Sequence, residues 1–292
     1  EDGNPRLPDL TLTGGLLFMS YGIFRPAPDG SVVLMFHQQE DHPVNDVNGR
    51  DTLMFVMGPS ASNWVEFAPG TNGELMVVPE DEDEETTPGR SYTASFLFGP
   101  DGTFHLFMLW QMETLNAQTR SDLSYIRRTP SGVWETITGD PITMPIDYPQ
   151  VLSADDCLIP DQLPWINQNW QMALDADGNP HINVQQTPAA RRRHWWDGEA
   201  WQYVDLGGSE YGHLMNIRGE LWTQRSALSR QIQLHGPNGE LVPLSGRVTN
   251  NFEPQPCPVR VLFDGVYEVL APDGDTPRVY TFGDGPRLRA AV

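Results

Sequence analysis

The stretch Ser91-Tyr92-Thr93-Ala94-Ser95-Phe96-Leu97-Phe98-Gly99-Pro100-Asp101-Gly102-Thr103-Phe104-His105-Leu106-Phe107-Met108-Leu109-Trp110 decides the fold. Two β-rich runs flank an Asp-Gly dipeptide. Glycine tolerates the positive φ that a tight hairpin turn needs, so the stretch predicts two antiparallel strands. The same unit recurs: an apolar strand, an Asp-Gly or Gly turn, a second strand, a polar connection, then an aromatic strand ending near Trp. Residues 21–24 turn at Asp29-Gly30 into 31–36, with 51–57 and Trp64 behind them. After the opening stretch come residues 123–127 and Trp134. Residues 169–174 turn at Asp177-Gly178 into 181–185, followed by 193–196 and Trp201. Two weaker copies turn at Arg218-Gly219 and at Asp264-Gly265.

A single sheet of three or four strands cannot bury both its faces, so such units stack around an axis. The expectation is an all-β protein, a β-propeller of about five blades in one domain over residues 1–292. Its units span approximately 15–68, 91–137, 167–205, 211–244 and 257–284, and residues 10–18 would supply the strand that closes the ring. Part of a larger, seven-bladed propeller is the alternative.

Composition narrows the partners. The chain carries 39 acidic residues against 18 basic ones, a net charge of -21, and contains no lysine. Phosphate binding needs the opposite field, so nucleic acid is excluded as an expected partner. No apolar run approaches the roughly 18 residues of a membrane span. The chain opens at Glu1-Asp2-Gly3-Asn4-Pro5. A secreted or periplasmic protein trimmed of its leader would begin this way. Cys157 and Cys257 would pair in an oxidising compartment, or stay apart. The acidic run at residues 80–85 reads as a solvated loop rather than a calcium site. His37, Glu40, Asp41 and His42 are ligand types that suit structural zinc or calcium, without diagnostic spacing.

Several motifs carry a resemblance. The blade-end segments Thr129-Pro130-Ser131-Gly132-Val133-Trp134 and Asp197-Gly198-Glu199-Ala200-Trp201 look like worn Asp-boxes. Between residues 122 and 198 come Asp122-Leu123-Ser124-Tyr125, Gly139-Asp140-Pro141-Ile142, Asp175-Ala176-Asp177-Gly178-Asn179-Pro180-His181 and His194-Trp195-Trp196-Asp197-Gly198. This order resembles the BNR-repeat propeller family that includes ulvan lyases and related polysaccharide lyases, over roughly residues 20–205. The resemblance implies a propeller that cleaves polysaccharide. The family's Tyr-Arg at a blade-strand end appears here as Phe36-His37, and its Trp-Arg as Trp110-Gln111. Its upstream histidine-rich blade motif has no counterpart in this sequence.

Hairpin geometry points to one end of each unit without any family. The start of a first strand and the end of the second lie at the same end, where a rigid scaffold presents its loops. Counting from the turn glycines, that end collects His37, Gln38, Gln39, Trp110, Gln111, Gln185 and Gln186. Strand starts add Tyr21, Tyr92, Asn167, Gln168, Tyr211 and His213, and the shorter fourth unit adds Gln224 and Arg225. Arg50, Arg120 and the run Arg191-Arg192-Arg193 leave the same end. Amides and guanidinium groups satisfy sugar hydroxyls and carboxylates with directed hydrogen bonds. The expected partner is therefore a polysaccharide or oligosaccharide, with Trp110 as an aromatic plate. His105 and His181, three residues after their glycines, read as structural.

Three activities fit these residue types. β-Elimination at a uronate needs a base, an acid and a carboxylate neutraliser. The candidates are His37 as base, Tyr92 or His213 as the second proton group, and Arg225 or Arg192 as neutraliser. Gln38, Gln39, Trp110, Gln111, Asn167, Gln168, Gln186 and Arg192 would bind substrate. A non-catalytic glycan-binding propeller would use the same end without a poised acid and base. A glycoside hydrolase would need two carboxylates across the bond, and Glu40, Asp41, Asp46 and Glu113 offer no distinct pair.

Overall fold

The computed structural model describes residues 18–39, 50–77, 90–114, 117–154, 157–162, 171–187, 190–206, 213–217, 220–226, 232–235, 241–243, 259–263, 266–273 and 276–283. The chain forms two compact units, the first running to Trp170 and taking in Gln185–Thr187, the second comprising Gln171–Val184 and Pro188–Val292.

The first unit is built on two antiparallel meanders. β1 (Phe18–Pro26), β2 (Val32–Gln39), β3 (Arg50–Met57) and the short β4 (Val65–Glu66) form one, with β5 (Glu74–Val77) also against β3. β6 (Arg90–Phe98), β7 (Phe104–Thr114), β8 (Ala117–Arg128) and the short β9 (Trp134–Glu135) form the other. A parallel pairing of β3 with β6 joins them into one ten-stranded sheet, to which β10 (Ile146–Asp147) adds through β5. One helical turn and a half, α1 (Tyr148–Ser153), follows β10.

Three smaller sheets complete the described chain. The first holds β11 (Gln171–Leu174), β12 (Pro180–Thr187), β13 (Ala190–Trp196) and β14 (Trp201–Leu206). The next holds β15 (His213–Ile217), β16 (Glu220–Ser226), β17 (Ile232–His235) and β18 (Leu241–Pro243). The last holds β19 (Val259–Phe263), β20 (Val266–Asp273) and β21 (Thr276–Gly283). The described residues thus make five antiparallel meanders, and β5 and β10 lie outside the five repeat units of the sequence.

The turns explain why the repeat folds this way. The amide of Gly30 donates to the carbonyl of Ala27 at 3.0 Å, and the amide of Ala27 to the carbonyl of Ser31 at 2.8 Å. This is a type I turn closed by a left-handed residue, a role glycine fills without a Cβ clash. Gly102 and Gly178 repeat it, with φ of 88° and 85°. The turn aspartate does separate work: Asp101 accepts from the Thr103 amide at 3.0 Å and its hydroxyl at 2.7 Å. Those bonds stabilise the charged carboxylate and hold its pKa below the usual range.

The main core of the first unit fills one side of both meanders. Val33, Met35, Met54, Phe96, Phe104, Leu106, Met108, Trp110 and Ile126 meet there with Val151 of α1 and with Cys157. The blade-end tryptophans are packing residues. Trp134 sits edge-on to Phe104 at 5.7 Å and Trp201 edge-on to Trp196 at 5.9 Å. Cys157 is a buried free thiol whose burial pushes its pKa up to about 12. The proposed partner Cys257 lies outside the described residues.

Candidate functional site

Strand register gathers much of the predicted end of the first unit. Gln39 of β2 lies opposite Phe18 of β1 on one side and Arg50 of β3 on the other. Arg50 lies opposite Arg90 of β6, Arg90 opposite Gln111 of β7, and Gln111 opposite Arg120 of β8. One step inward, Gln38 pairs with Asp51 and Ser91 with Trp110. A further step brings His37 opposite Thr52 and Tyr92 opposite Leu109. His37, Gln38, Gln39, Arg50, Tyr92, Gln111 and Arg120 therefore share one end of the ten-stranded sheet. Arg90, absent from the sequence reading, belongs with them.

Two of these residues differ from expectation. Trp110, expected as an exposed plate, is fully buried in the core. Its ring lies 5.3 Å from Tyr148, and its indole N–H has no hydrogen-bond partner among the described residues. Residues 103–110 are buried on both faces of β7, which leaves no solvent side for the indole. His37 is only 2 % exposed, and its Nδ1 lies 3.3 Å from the Thr52 hydroxyl.

In the second unit, His213 opens β15 opposite Gln224, and Arg225 follows on β16 opposite Gln233 of β17. His213, Gln224 and Arg225 share an end of that sheet. Gln186, near the end of β12, belongs to the first unit. Arg192 has a partner on its own sheet: its Nε donates to Asp205 at 2.7 Å, and its guanidinium lies 4.2 Å over the Tyr203 ring. Asn167 and Gln168 lie outside the described residues, as do Glu40, Asp41 and His42 of the suggested metal site. Among the described residues no three His, Cys, Asp or Glu side chains gather to hold a metal ion, and no helix is long and apolar enough to cross a membrane.

The histidines read as structural do pack into the sheets. His105 is buried, and its Nδ1 shares a 2.6 Å hydrogen bond with the Tyr125 hydroxyl. Desolvation pulls its pKa down to about 4. His181 stacks on Trp195 at 6.2 Å and lies 3.4 Å from Asp175.

One pair was not anticipated. The Tyr148 hydroxyl donates to Asp122 at 2.6 Å. Asp122 has a φ of 55°, the left-handed region, in the bulge of β8 where the register with β7 shifts. Burial, with the Asp122 carboxylate beside it, raises the Tyr148 pKa. The phenol therefore stays protonated. Nothing in the local sequence pattern announces a contact across 26 residues.

Successive antiparallel meanders, the first three turning at a left-handed glycine, define a β-propeller repeat protein. The chain belongs to the BNR repeat-containing family, whose model matches residues 11–228. Two solved structures share the fold. A polysaccharide lyase, Uly1, aligns with TM-score 0.58 at 15% identity, over 90% of this chain and 57% of that one. An ulvan lyase of polysaccharide lyase family PL25, bound to -[GlcA(1-4)Rha3S]-, aligns with TM-score 0.58 at 16% identity, over 91% of this chain and 65% of that one. The chain thus spans 57% to 65% of the length of these two proteins. No curated protein matches the sequence.

Proposed function

We propose that this chain is a carbohydrate-active propeller protein that acts as a polysaccharide lyase on a uronate-containing polymer. The observation that carries the reading is the register that brings Gln38, Gln39, Arg50, Tyr92 and Gln111 to one sheet end. These are residue types that bind hydroxyls and carboxylates in fixed directions. The fold shared with two polysaccharide lyases, one holding a glucuronate-containing disaccharide, supports the reaction class.

In β-elimination a base removes the proton at C5, the C4–O bond breaks, and an acid protonates the departing oxygen. A cation beside the carboxylate stabilises the carbanion-like transition state. In this reading His37 is the base and Tyr92 the second proton group, both on the first unit; His213, Arg225 and Arg192, the other residues whose types suit these roles, belong to the second unit. The burial of His37 favours a second reading, glycan binding without cleavage, because a base must reach its proton.

One experiment separates the two. The protein is incubated with uronate polysaccharides while the ultraviolet absorbance of the unsaturated product is followed, and binding to the same polymers is measured in parallel. Rising absorbance that His37→Ala abolishes supports the lyase. Binding with flat absorbance supports the second reading. Neither binding nor absorbance across the panel removes the carbohydrate reading.

A further inference from the structure

We infer that the cleft beside Arg128 is a binding site for a small carboxylate with an apolar body. It lies apart from the candidate sugar-binding end and does not depend on the carbohydrate reading. Arg128 closes β8, and Arg120 stands near the other end of that strand, roughly 25 Å away.

Three segments of the first unit form the cleft. Pro69 follows β4, Val133 and Trp134 come from the turn into β9, and Pro141, Ile142 and Met144 come from the connection after it. The cleft holds about 350 Å³, at the lower end of the roughly 300–1,000 Å³ of ligand pockets. Its walls are fixed by the fold. Trp134 packs edge-on against both Phe67 and Phe104. The Ile142 amide donates to the Trp134 carbonyl at 2.9 Å, and the Thr129 amide to the Val133 carbonyl at 2.8 Å. No lining side chain carries a hydroxyl or an amide. A sugar would lose its hydration there without replacement, whereas an apolar group would not.

Arg128 supplies the polar group. Its guanidinium lies over the Phe67 ring at 4.9 Å. A Cβ built on Gly132, which lines the cleft, would come 3.3 Å from Nη2 of Arg128, so the guanidinium stands at the cleft's edge. Its Nε is buried without a hydrogen-bond partner, and no carboxylate among the described residues pairs with it. The acidic side chains on the same segments are engaged elsewhere. Glu135 accepts from Arg127 at 2.7 Å, Glu66 from the amides of Gly70 and Thr71, and Asp140 from the Thr138 hydroxyl at 3.3 Å. Burial lowers the Arg128 pKa, yet a guanidinium stays charged. A partly desolvated cation without a counter-charge costs folding energy. The chain has 39 acidic residues against 18 basic ones, and still leaves this arginine beside an apolar cleft rather than an acid. A bound carboxylate would supply the missing charge through paired N–H bonds. The net charge of -21 disfavours anions over the rest of the surface, so the attraction is local to this arginine.

The test titrates the full chain calorimetrically with hexanoate, phenylacetate, their neutral amides hexanamide and phenylacetamide, and acetate. At least one of the two apolar carboxylates is expected to bind at one site per chain. Its amide and acetate should each bind on the order of tenfold more weakly. Arg128→Gln should bring that carboxylate down to the level of its amide and leave the affinity for the amide unchanged. Arg128 also packs on Phe67, so a second variant decides the matter if this one unfolds. Val133 is 47% exposed. Val133→Asp should therefore keep the wild-type melting temperature while weakening the carboxylate on the order of tenfold and the amide far less. Equal affinity for acid and amide overturns the proposal. Wild-type affinity in the folded variants overturns it too, as does a lack of binding by both carboxylates.

Discussion

Gly73 lies at a φ of 89°, and a Cβ built there would come 2.3 Å from the ring of Phe55. That ring is buried and stacks on Phe36 at 5.9 Å, so it has little room to yield. Gly73→Ala combines a strained left-handed alanine with overpacking. It is expected to destabilise the protein by about 1–3 kcal/mol, read as a lower urea midpoint. An unchanged midpoint would show that Phe55 can move aside. Acid should act through two histidines. Desolvation lowers the pKa of both His105 and His194 to about 4. Between that value and the ordinary 6.5, the unfolded chain holds a proton that the folded chain does not, so stability falls as pH falls through this window. Each contributes roughly 3 kcal/mol at most. His194 is buried with no hydrogen-bond partner for either ring nitrogen among the described residues, so leucine can replace it without orphaning a donor. His194→Leu should shrink the loss of urea midpoint between about pH 7 and about pH 4.5. A full-sized loss would assign the acid sensitivity to other groups. The sequence could place His37 and Trp110 at a strand end but not on a wet or dry face. Alternation tells faces apart only when one face is solvated, and every residue from Thr103 to Trp110 is buried.

Elements were legible where their chemistry is local. The Asp-Gly pairs marked their hairpins because the turn is made by the residues that name it. α1 was hidden inside what reads as a Pro-rich connection over residues 141–164. Six residues are too few for a 3.6-residue period to show. Its local signals were Asp147 followed by Pro149. The Asp147 carboxylate accepts from the Gln150 amide at 2.7 Å, capping the helix. Asp147→Ala should therefore cost about 1 kcal/mol, and Asp147→Asn or Asp147→Ser should recover most of it. α1 also presents Tyr148 to Asp122 and Val151 to the core. Loss of the cap thus loosens one wall of the core near the sheet end that holds Tyr92 and Gln111. Equal unfolding midpoints for the alanine variant and the wild type would mean that β10 and the core fix this turn without its cap.

At the scale of the whole molecule, repetition made five meanders countable, because a glycine turn marks each one. The inter-meander register was not countable: β3 meets β6 across residues 58–89, and no local pattern sets which residue faces which. Arg90 was missed for that reason. Charge is legible at this scale without any structure, and it yields a prediction. A net charge of -21 makes the folded chain repel itself more strongly than its expanded form does. Added salt screens that repulsion, with a Debye length of about 10 Å at 0.1 M and about 3 Å at 1 M. The few described ion pairs, such as Arg127–Glu135 at 2.7 Å and 32% and 14% side-chain exposure, weaken with salt but contribute little each. Repulsion should win over pairing, so the melting temperature is expected to rise by several degrees from about 0.05 M to about 0.5 M sodium chloride. A melting temperature that falls with salt would instead mean that paired charges, not the excess, dominate the electrostatics of the fold.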